Sequence, residues 1–294
     1  MTLTSATQDR SALAGVALML VVAIFGALDA VIVRIVSPSV HPFVIGFTRS
    51  LFGLIAMSPW IITRPGILRS NYTVRHFVRA ALKLAALVAF FAAFAIAPLA
   101  DVTSIAFAAP IFVTLGAWTF LSERPQPLRV LAVIAGFAGV LVVLRPGENG
   151  ISAGLALALI GAFLTAAIQL ILKPMSAKDS TETLVAWNLI LTVPIAAIPA
   201  LFFWQMPSLQ EWALLGVQGV LGAASMAMVT KAFALAEASL IAPLDFLRLP
   251  IVAALAYYFF GQVAGITIWI GGALIFCATL LLARSARSRK LWEI

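Results

Sequence analysis

Apolar runs of about 20 residues follow one another along almost the whole chain, separated by short polar joints. A helix rises about 1.5 Å per residue, so each run is long enough to cross a hydrocarbon core of roughly 30 Å. Barrel strands would be shorter and would alternate apolar with polar positions. The pattern predicts ten transmembrane helices, at about 11–33, 42–62, 77–97, 102–121, 129–145, 151–172, 183–204, 210–231, 238–260 and 266–284.

The second half of the chain repeats the first in a looser form. Segments 95–144 and 232–282 each contain a short turn, an apolar run with a proline, a polar joint and a second apolar run. The matched pairs are Asp101 with Glu237, Pro110 with Pro250, and Glu123 with Gln262, the last at an offset of 139 residues (262 − 123). Because five helices per copy is an odd number, the copies cross the membrane in opposite directions. We therefore predict an all-α membrane protein whose ten transmembrane helices form two inverted five-helix repeats, 11–145 and 151–284.

Composition supports a membrane protein and gives its orientation. The chain is 63% hydrophobic and 10% charged, whereas about a quarter of the residues of a soluble domain are charged. A net charge of +8 could indicate nucleic acid, but 15 of the 19 lysines and arginines fall on one side if the N-terminus is inside. Positive charge favours the cytoplasmic side. We predict a bacterial inner-membrane protein with both termini cytoplasmic and no nucleic-acid partner.

The sequence lacks the motifs of ATP-driven pumps and of the common membrane enzymes. There is no G-x-x-x-x-G-K-[ST] phosphate loop and no H-E-x-x-H metal motif. His41 and His76 are predicted at opposite sides of the membrane, and the 11 acidic residues are scattered singly. The single Cys277 cannot form an internal disulfide. We therefore expect no catalytic residues, no metal and no cofactor, while a membrane scaffold or a passive channel stays open as an alternative.

Inverted repeats are typical of secondary transporters, in which the substrate site lies at the bilayer midplane between the copies. Two copies within one chain predict that a monomer is sufficient. Substrate binding from alternate sides would then require bending points. Pro110 and Pro250 occupy comparable places in the two copies and are the predicted hinges.

Several short motifs carry a resemblance to a known family. They are Phe25-Gly26 in the first helix, the segment Ala97–Pro110, the run Phe120-Leu121-Ser122-Glu123-Arg124 and the small-residue stretch Gly136–Gly139. In their order, spacing and duplication they resemble the drug/metabolite transporter superfamily, and within it the EamA-type ten-helix permeases. The chain looks most like the exporters of aromatic amino acids in that superfamily (the YddG type). Phe260-Gly261-Gln262-Val263 departs from the Gly-Glu pair often repeated there.

The resemblance implies which helices line a substrate cavity, namely the first, third, fourth, sixth, eighth and ninth. On or near these helices stand the candidate cavity residues Phe25, Asp29, Lys83, Phe90, Phe94, Ser104, Phe107, Phe112, Trp118, Phe163, Gln169, Ser239 and Tyr257. A cavity that is mostly aromatic with a few polar anchors suits amphipathic amino acids or neutral drugs. Each aromatic residue has packing or lipid contact as its alternative role.

Charges within helices are the remaining candidates, because an ionisable group in hydrocarbon is costly. Asp29 would bind an ammonium group or a proton, or pair with Arg34 or Arg49. Lys83 would extend to the cytoplasmic headgroups or contact a substrate carboxylate.

Two further pairs are predicted from sequence position. Asp245 and Arg248 are three residues apart and are expected to form a structural ion pair. Glu123 and Arg124 would close an inner gate or form a solvated loop pair.

Together these features predict a secondary carrier that exports amino acids, aromatic and apolar ones preferred, and related metabolites by alternating access. Broad-range drug efflux and uncoupled uniport are the alternatives. The partners expected are a small-molecule substrate and the lipid bilayer.

Overall fold

A computed structural model describes residues 2–70, 72–120, 127–145, 151–175, 178–235 and 242–290 of the protein. The described chain is helical and carries no strand. Its α-helices are α1 (Thr2–Val36), α2 (Pro42–Thr63), α3 (Thr73–Ile96), α4 (Leu99–Ala106), α5 (Ala109–Phe120), α6 (Pro127–Leu144), α7 (Ala153–Met175), α8 (Thr181–Phe202), α9 (Leu209–Leu235), α10 (Arg248–Phe260) and α11 (Ile266–Lys290). Two short 3-10 helices cover Pro65–Leu68 and Ala242–Leu247.

The helices are long and apolar enough to span a bilayer. Within the described residues, eight spans of 18 residues or more meet this description, with α4 and α5 counted as one, and Ile266–Leu282 forms a shorter apolar helix. The remaining predicted span, 238–260, contains the 3-10 helix and α10. The fold is therefore the predicted one, an all-α membrane protein built from two five-helix repeats.

Local sequence sets several helix ends. The His41 side chain accepts a hydrogen bond from the Phe43 amide at 3.4 Å, and Pro42 occupies the first turn of α2, where its missing amide hydrogen costs nothing. The Ser180 hydroxyl accepts from the Thr183 amide at 3.2 Å and starts α8. Gly261 ends α10 with a left-handed φ of 64°.

Both copies contain a broken helix at the same place. The predicted helix 102–121 is interrupted at Phe107–Ala108, and Pro110 lies in the first turn of α5. In the second copy the 3-10 helix runs into α10, and Pro250 lies in the first turn of α10. A proline removes a backbone donor and clashes with the preceding turn, so each segment restarts just ahead of its proline.

The two copies interlock through equivalent helices. α1 packs against α9, and α3 packs against α7, so the first helix of each copy contacts the third helix of the other. α6 packs along α11, which are the fifth helices of the two copies. The exchange of equivalent contacts is what a pseudo-two-fold axis between inverted repeats produces.

Small residues allow the fifth helices of the two copies to approach closely. A Cβ atom added at Gly139 would lie 2.8 Å from the Gly271 carbonyl oxygen, and one added at Gly271 would lie 2.7 Å from the Gly139 carbonyl oxygen. Backbones can come this near only where no side chain intervenes.

Candidate substrate cavity

A cavity of about 400 Å³ lies between the two copies. We call it the aromatic chamber because five phenylalanines line it, namely Phe90, Phe91, Phe94, Phe107 and Phe246. The polar and charged side chains of the lining are Asp29, Arg49, Lys83, Thr103, Thr165, Gln169, Asp245, Arg248 and Thr279. Its volume falls within the roughly 300–1,000 Å³ of small-molecule sites.

Helix α3 forms one wall through a single face. Lys83, Leu87, Phe90 and Phe94 are spaced three or four residues apart, so they project in the same direction. Gly161 on α7 faces this wall. A Cβ atom added at Gly161 would lie 2.9 Å from the Phe90 ring, so the absence of a side chain there leaves space for the ring.

The opposite wall includes a stacked pair of rings from the two copies. Phe107, at the break between α4 and α5, stacks on Phe246 with ring centroids 4.3 Å apart and an interplanar angle of 23°. The pair places flat aromatic surface beside both helix breaks. A planar ring is the shape that such surfaces favour.

Asp29 is paired within the protein. Its Oδ1 accepts a hydrogen bond from Arg49 Nε at 3.2 Å, and both side chains are about one-fifth exposed. Arg34, the other predicted partner, instead donates to the carbonyl oxygens of Phe94 at 3.0 Å and Ala95 at 2.5 Å, at the end of α3. Of the partners that the sequence left open, the structure selects Arg49.

The predicted ion pair between Asp245 and Arg248 is wrong. For these two residues no salt bridge of 4.0 Å or less is formed, while the Arg248 guanidinium lies over the Phe107 ring at 5.2 Å from its centroid. A Cβ atom at Gly26 would lie 2.6 Å from Arg248 Cδ. The arginine therefore passes across α1 through the space that Gly26 leaves, which directs it toward the chamber instead of toward Asp245.

Lys83 lines the aromatic chamber. α3 begins at Thr73 and not at 77, so Lys83 is ten residues into the helix, about 15 Å along its axis. Of its two predicted roles, contact with a substrate is the one that fits a side chain on the wall of a cavity.

The structure brings together Asp29, Lys83, Phe90, Phe94, Phe107 and Gln169 of the candidate cavity residues. Others lie elsewhere. Phe25 is outside the lining, although its neighbour Gly26 belongs to it. The Ser104 hydroxyl donates to the Ala100 carbonyl at 2.9 Å, and Tyr257 is 66% exposed on the outer surface.

Three further aromatic candidates also lie away from the chamber. Phe112 and Phe163 line a separate apolar pocket between α5 and α7. Trp118 packs against the hydrophobic core and lies outside the aromatic chamber. Helical spacing alone could not separate these faces, since lipid, core and cavity all accept aromatic side chains.

The structure also adds residues that sequence reasoning left outside the cavity. Arg49, Asp245 and Arg248 were assigned to pairing only, and Phe91, Phe246 and the threonines of the lining were not singled out. The sequence did not single out the phenylalanines and threonines because apolar and hydroxyl residues are common throughout membrane helices.

Both residues of the predicted gate and one predicted cavity residue fall outside the part of the chain that the structure describes. Glu123, Arg124 and Ser239 lie outside the described residues. Gln262, which matches Glu123 in the second copy, accepts a hydrogen bond from the Leu99 amide at 3.1 Å. It thereby satisfies a free amide at the start of α4, across the two copies.

A buried polar cluster joins the copies outside the cavity. His76 Nε2 lies 2.9 Å from Asp179 Oδ2 and 2.8 Å from the Ser70 hydroxyl, and Trp187 stacks on the imidazole. The hydroxyl and the carboxylate share one nitrogen, whereas a catalytic triad uses both. With His76 fully buried, the cluster is a structural tie between the α2–α3 and α7–α8 connections.

No group of three or more metal-ligating side chains comes together among the described residues. The chamber instead offers aromatic rings with carboxylates and cations at its wall.

Comparison with known families identifies the fold. The EamA-like transporter family matches residues 13–145 and again 152–284. The chain belongs to this family. A solved crystal structure with 18% identity superposes with a TM-score of 0.63 over 95% of this chain and 97% of the other, which supports the same fold for this EamA-like transporter.

Relatives of this EamA-like transporter are named for several substrates. A riboflavin transporter of Rhizobium johnstonii is 33% identical over 224 residues, 76% of this chain and 74% of that protein. An S-adenosylmethionine uptake transporter of Rickettsia bellii is 28% identical and covers 85% and 88%. A pseudopaline exporter of Pseudomonas aeruginosa is 26% identical and covers 82% and 86%. These names lend no support to the predicted likeness to exporters of aromatic amino acids.

Proposed function

We propose that the protein is a secondary carrier that moves a small metabolite with a flat aromatic ring across the bacterial inner membrane by alternating access. The observation that carries this proposal is the aromatic chamber between the inverted copies. A riboflavin-like heteroaromatic compound is the first candidate substrate. The riboflavin transporter among the relatives favours this choice.

The shape of the chamber suits a ring system. The Phe107–Phe246 stack offers an aromatic face from each copy, and Phe90 and Phe94 border the same space. Offset stacking on such rings adds roughly 0.5–1.5 kcal/mol beyond burial of area. A substrate that touches both copies is also positioned to feel their relative movement, which alternating access requires.

Export of aromatic amino acids remains a second candidate. Asp29 and Lys83 line the same chamber with opposite charges, and an amino acid carries an ammonium and a carboxylate. S-Adenosylmethionine combines this zwitterionic group with an adenine ring. Aromatic amino acids and S-adenosylmethionine therefore share one chemistry, a ring attached to a charged tail.

Uptake into liposomes that contain the purified protein tests the proposal. Labelled riboflavin, S-adenosylmethionine, tryptophan and one cationic drug are compared, each with and without a pH gradient. Saturable riboflavin uptake, accelerated when unlabelled riboflavin is loaded inside, is the expected result. Uptake of tryptophan alone would select amino-acid transport, uptake of the drug alone would select broad-range efflux, and no uptake of any compound would contradict a carrier.

A cavity variant and an outer-surface variant separate specific from general effects. Phe107→Ala removes one ring of the stack and is expected to raise the KM for riboflavin about tenfold. Tyr257→Ala changes an aromatic residue that is 66% exposed on the outer surface and is expected to transport as the wild type does. Equal effects of the two changes would exclude the chamber as the riboflavin site.

The hinge role of Pro110 and Pro250 is part of the same proposal. Each lies in the first turn that follows a helix break beside the chamber. Replacing both with alanine is expected to slow counterflow more than it weakens riboflavin binding. Unchanged counterflow in the double variant would remove the hinge assignment.

A further inference from the structure

A second cavity of about 170 Å³ adjoins the aromatic chamber. Arg49, Lys83 and Leu87 line both cavities and form the wall that they share. We call the second cavity the polar chamber because Ser50, Asn188 and Thr192 also line it. A molecule bound in the aromatic chamber therefore reaches the polar chamber past two cations.

The charges at this wall are unbalanced. Arg49 and Lys83 are the charged residues among those lining the polar chamber. Asp29, the carboxylate bound to Arg49, lines the aromatic chamber instead. Across both cavities three cations face two carboxylates, because Arg248 and Asp245 are also present in the aromatic chamber.

Lys83 has no anionic partner among the residues that the structure describes. With these residues it forms no salt bridge within 4.0 Å and no hydrogen bond. An unpaired ammonium on a membrane-spanning helix is costly, and such groups turn toward a partner or a substrate path. A partner that arrives with the substrate would compensate this charge.

Arg49 has terminal guanidinium nitrogens that bind none of the described residues. Its Nε binds Asp29 at 3.2 Å, while its terminal nitrogens make no hydrogen bond with the described residues. A Cβ atom added at Gly222 would lie 2.9 Å from both Cζ and one terminal nitrogen of Arg49. The guanidinium therefore rests against Gly222, a residue of the polar chamber, and its unused edge can bind two oxygens of an anion.

An amide donor completes the arrangement. Asn188 is 8% exposed, and its side-chain amide makes no hydrogen bond with the described residues. The Thr192 and Ser50 hydroxyls donate to backbone carbonyls at 2.6 and 2.8 Å. The donors left for a ligand are therefore Lys83, Arg49 and Asn188.

We propose that the polar chamber is an anion subsite in which Lys83 and Arg49 bind a carboxylate or phosphate on the tail of a substrate whose ring occupies the aromatic chamber. This inference rests on the proposed function and deepens it: ring compounds that carry an anionic tail are expected to bind more tightly than uncharged ones such as riboflavin. Carboxylate and phosphate share the required chemistry, planar or tetrahedral oxygens that accept hydrogen bonds from an arginine edge and an ammonium.

Paired probes that differ in the anionic group test the subsite. Binding of riboflavin is compared with binding of its 5′-phosphate, flavin mononucleotide, and binding of tryptophan with that of tryptamine. Purified protein in detergent is titrated, and ligand-induced thermal stabilisation is measured alongside dissociation constants. The anionic member of at least one pair is expected to bind about tenfold tighter than its partner.

Two sets of variants locate the effect. Lys83→Met removes the ammonium and keeps most of the length of the side chain. Lys178→Met removes an exposed lysine that lies over the Tyr72 ring, outside both chambers. The first change is expected to abolish the preference for the anionic probe, and the second to leave it intact. The loss is expected in the dissociation constant of the probe that carries the carboxylate or phosphate and not in that of the partner that lacks it.

Gly222→Ala tests Arg49 without altering a charge. The added methyl group displaces the guanidinium, and the same change at Gly216, where a Cβ atom meets nothing within 4 Å, is the control on the same helix. Gly222→Ala is expected to weaken anionic probes several-fold, and Gly216→Ala to have no effect.

The outcomes distinguish the subsite from the proposed function. Equal affinity within both pairs, or an unchanged preference in Lys83→Met, would overturn the anion subsite and leave ring transport standing. Anion-dependent stabilisation without uptake of any ring compound into liposomes would support the subsite and overturn the carrier proposal. Absence of stabilisation by every anionic probe would also overturn the subsite.

Discussion

Close packing of α6 on α11 yields a quantitative prediction about stability. Replacing Gly139 or Gly271 with alanine places a methyl group against the facing helix. At Gly139 the new Cβ would meet the Gly271 carbonyl oxygen at 2.8 Å and Ile275 Cγ1 at 2.9 Å. At Gly271 it would meet the Gly139 carbonyl oxygen at 2.7 Å and Val143 Cγ2 at 2.5 Å.

The cost follows from which atoms must move. Ile275 and Val143 can rotate, but a helix carbonyl cannot leave its hydrogen-bonded ladder. Since carbon and oxygen approach favourably only to about 3.3 Å, the helices must separate by roughly 0.5 Å. Overpacking of this kind destabilises by about 1–3 kcal/mol. Once one added methyl group has separated the helices, the second meets less steric overlap. The double variant is therefore expected to lose less unfolding free energy than the two single variants lose together.

Two other glycines are the comparison. Gly136 would place its Cβ against the end of the Ile111 side chain, at 2.2 Å from Cδ1 and 2.7 Å from Cγ1, and 3.3 Å from Ala278 Cβ. A rotamer change absorbs part of this overlap, so alanine there is expected to cost less than at Gly139. At Gly216 a Cβ atom meets nothing within 4 Å, and the better helix propensity of alanine makes the change neutral or slightly stabilising.

Unfolding in mixed micelles with increasing SDS, followed by tryptophan fluorescence, measures the free energy of each variant. The expected order of stability is Gly216→Ala highest, then Gly136→Ala, then Gly139→Ala and Gly271→Ala. If Gly139→Ala and Gly271→Ala unfold at the same SDS fraction as Gly216→Ala, the two helices do not depend on backbone contact and the packing argument fails.

Three further predictions concern single sites. Asp29→Asn leaves Arg49 with a neutral partner, so anionic probes are expected to bind several-fold tighter, measured by titration; weaker binding would mean that Asp29 contacts the substrate itself. Asp179→Ala leaves His76 buried without its carboxylate and is expected to lower the unfolding free energy by about 3 kcal/mol in the SDS assay, whereas an unchanged value would contradict a structural tie. Tyr257→Ala is expected to change neither stability nor uptake appreciably, since the ring is 66% exposed, and a loss of uptake would require a role at the outer surface.

The linear pattern of the sequence determined the architecture because transmembrane helices are specified locally. Within a bilayer each segment must satisfy its own backbone, so hydropathy and length fix the number of helices. The five-helix repeat was visible for the same reason, since the breaks at Pro110 and Pro250 recur at matching places. The small-residue stretches Gly136–Gly139 and Gly271-Gly272 also indicate close packing of the fifth helices, because small residues let membrane helices approach closely.

Only the tertiary structure decided which faces of the helices meet in the cavity. Phe107 and Phe163 are both phenylalanines within apolar predicted helices. Phe107 nevertheless lines the aromatic chamber, whereas Phe163 lines a separate apolar pocket. Lipid and protein interior are both apolar, so periodicity does not separate them.

The charged residues needed three-dimensional information for a different reason. Asp245 and Arg248 were matched by their spacing along one helix, but the space at Gly26 directs the arginine to Phe107 instead. For Lys83 the sequence left headgroup contact and substrate contact open, and only the packed helices show that it lines the chamber. Spacing gives the neighbours along one helix, whereas the partner of a charge in the membrane is set by the helices packed around it.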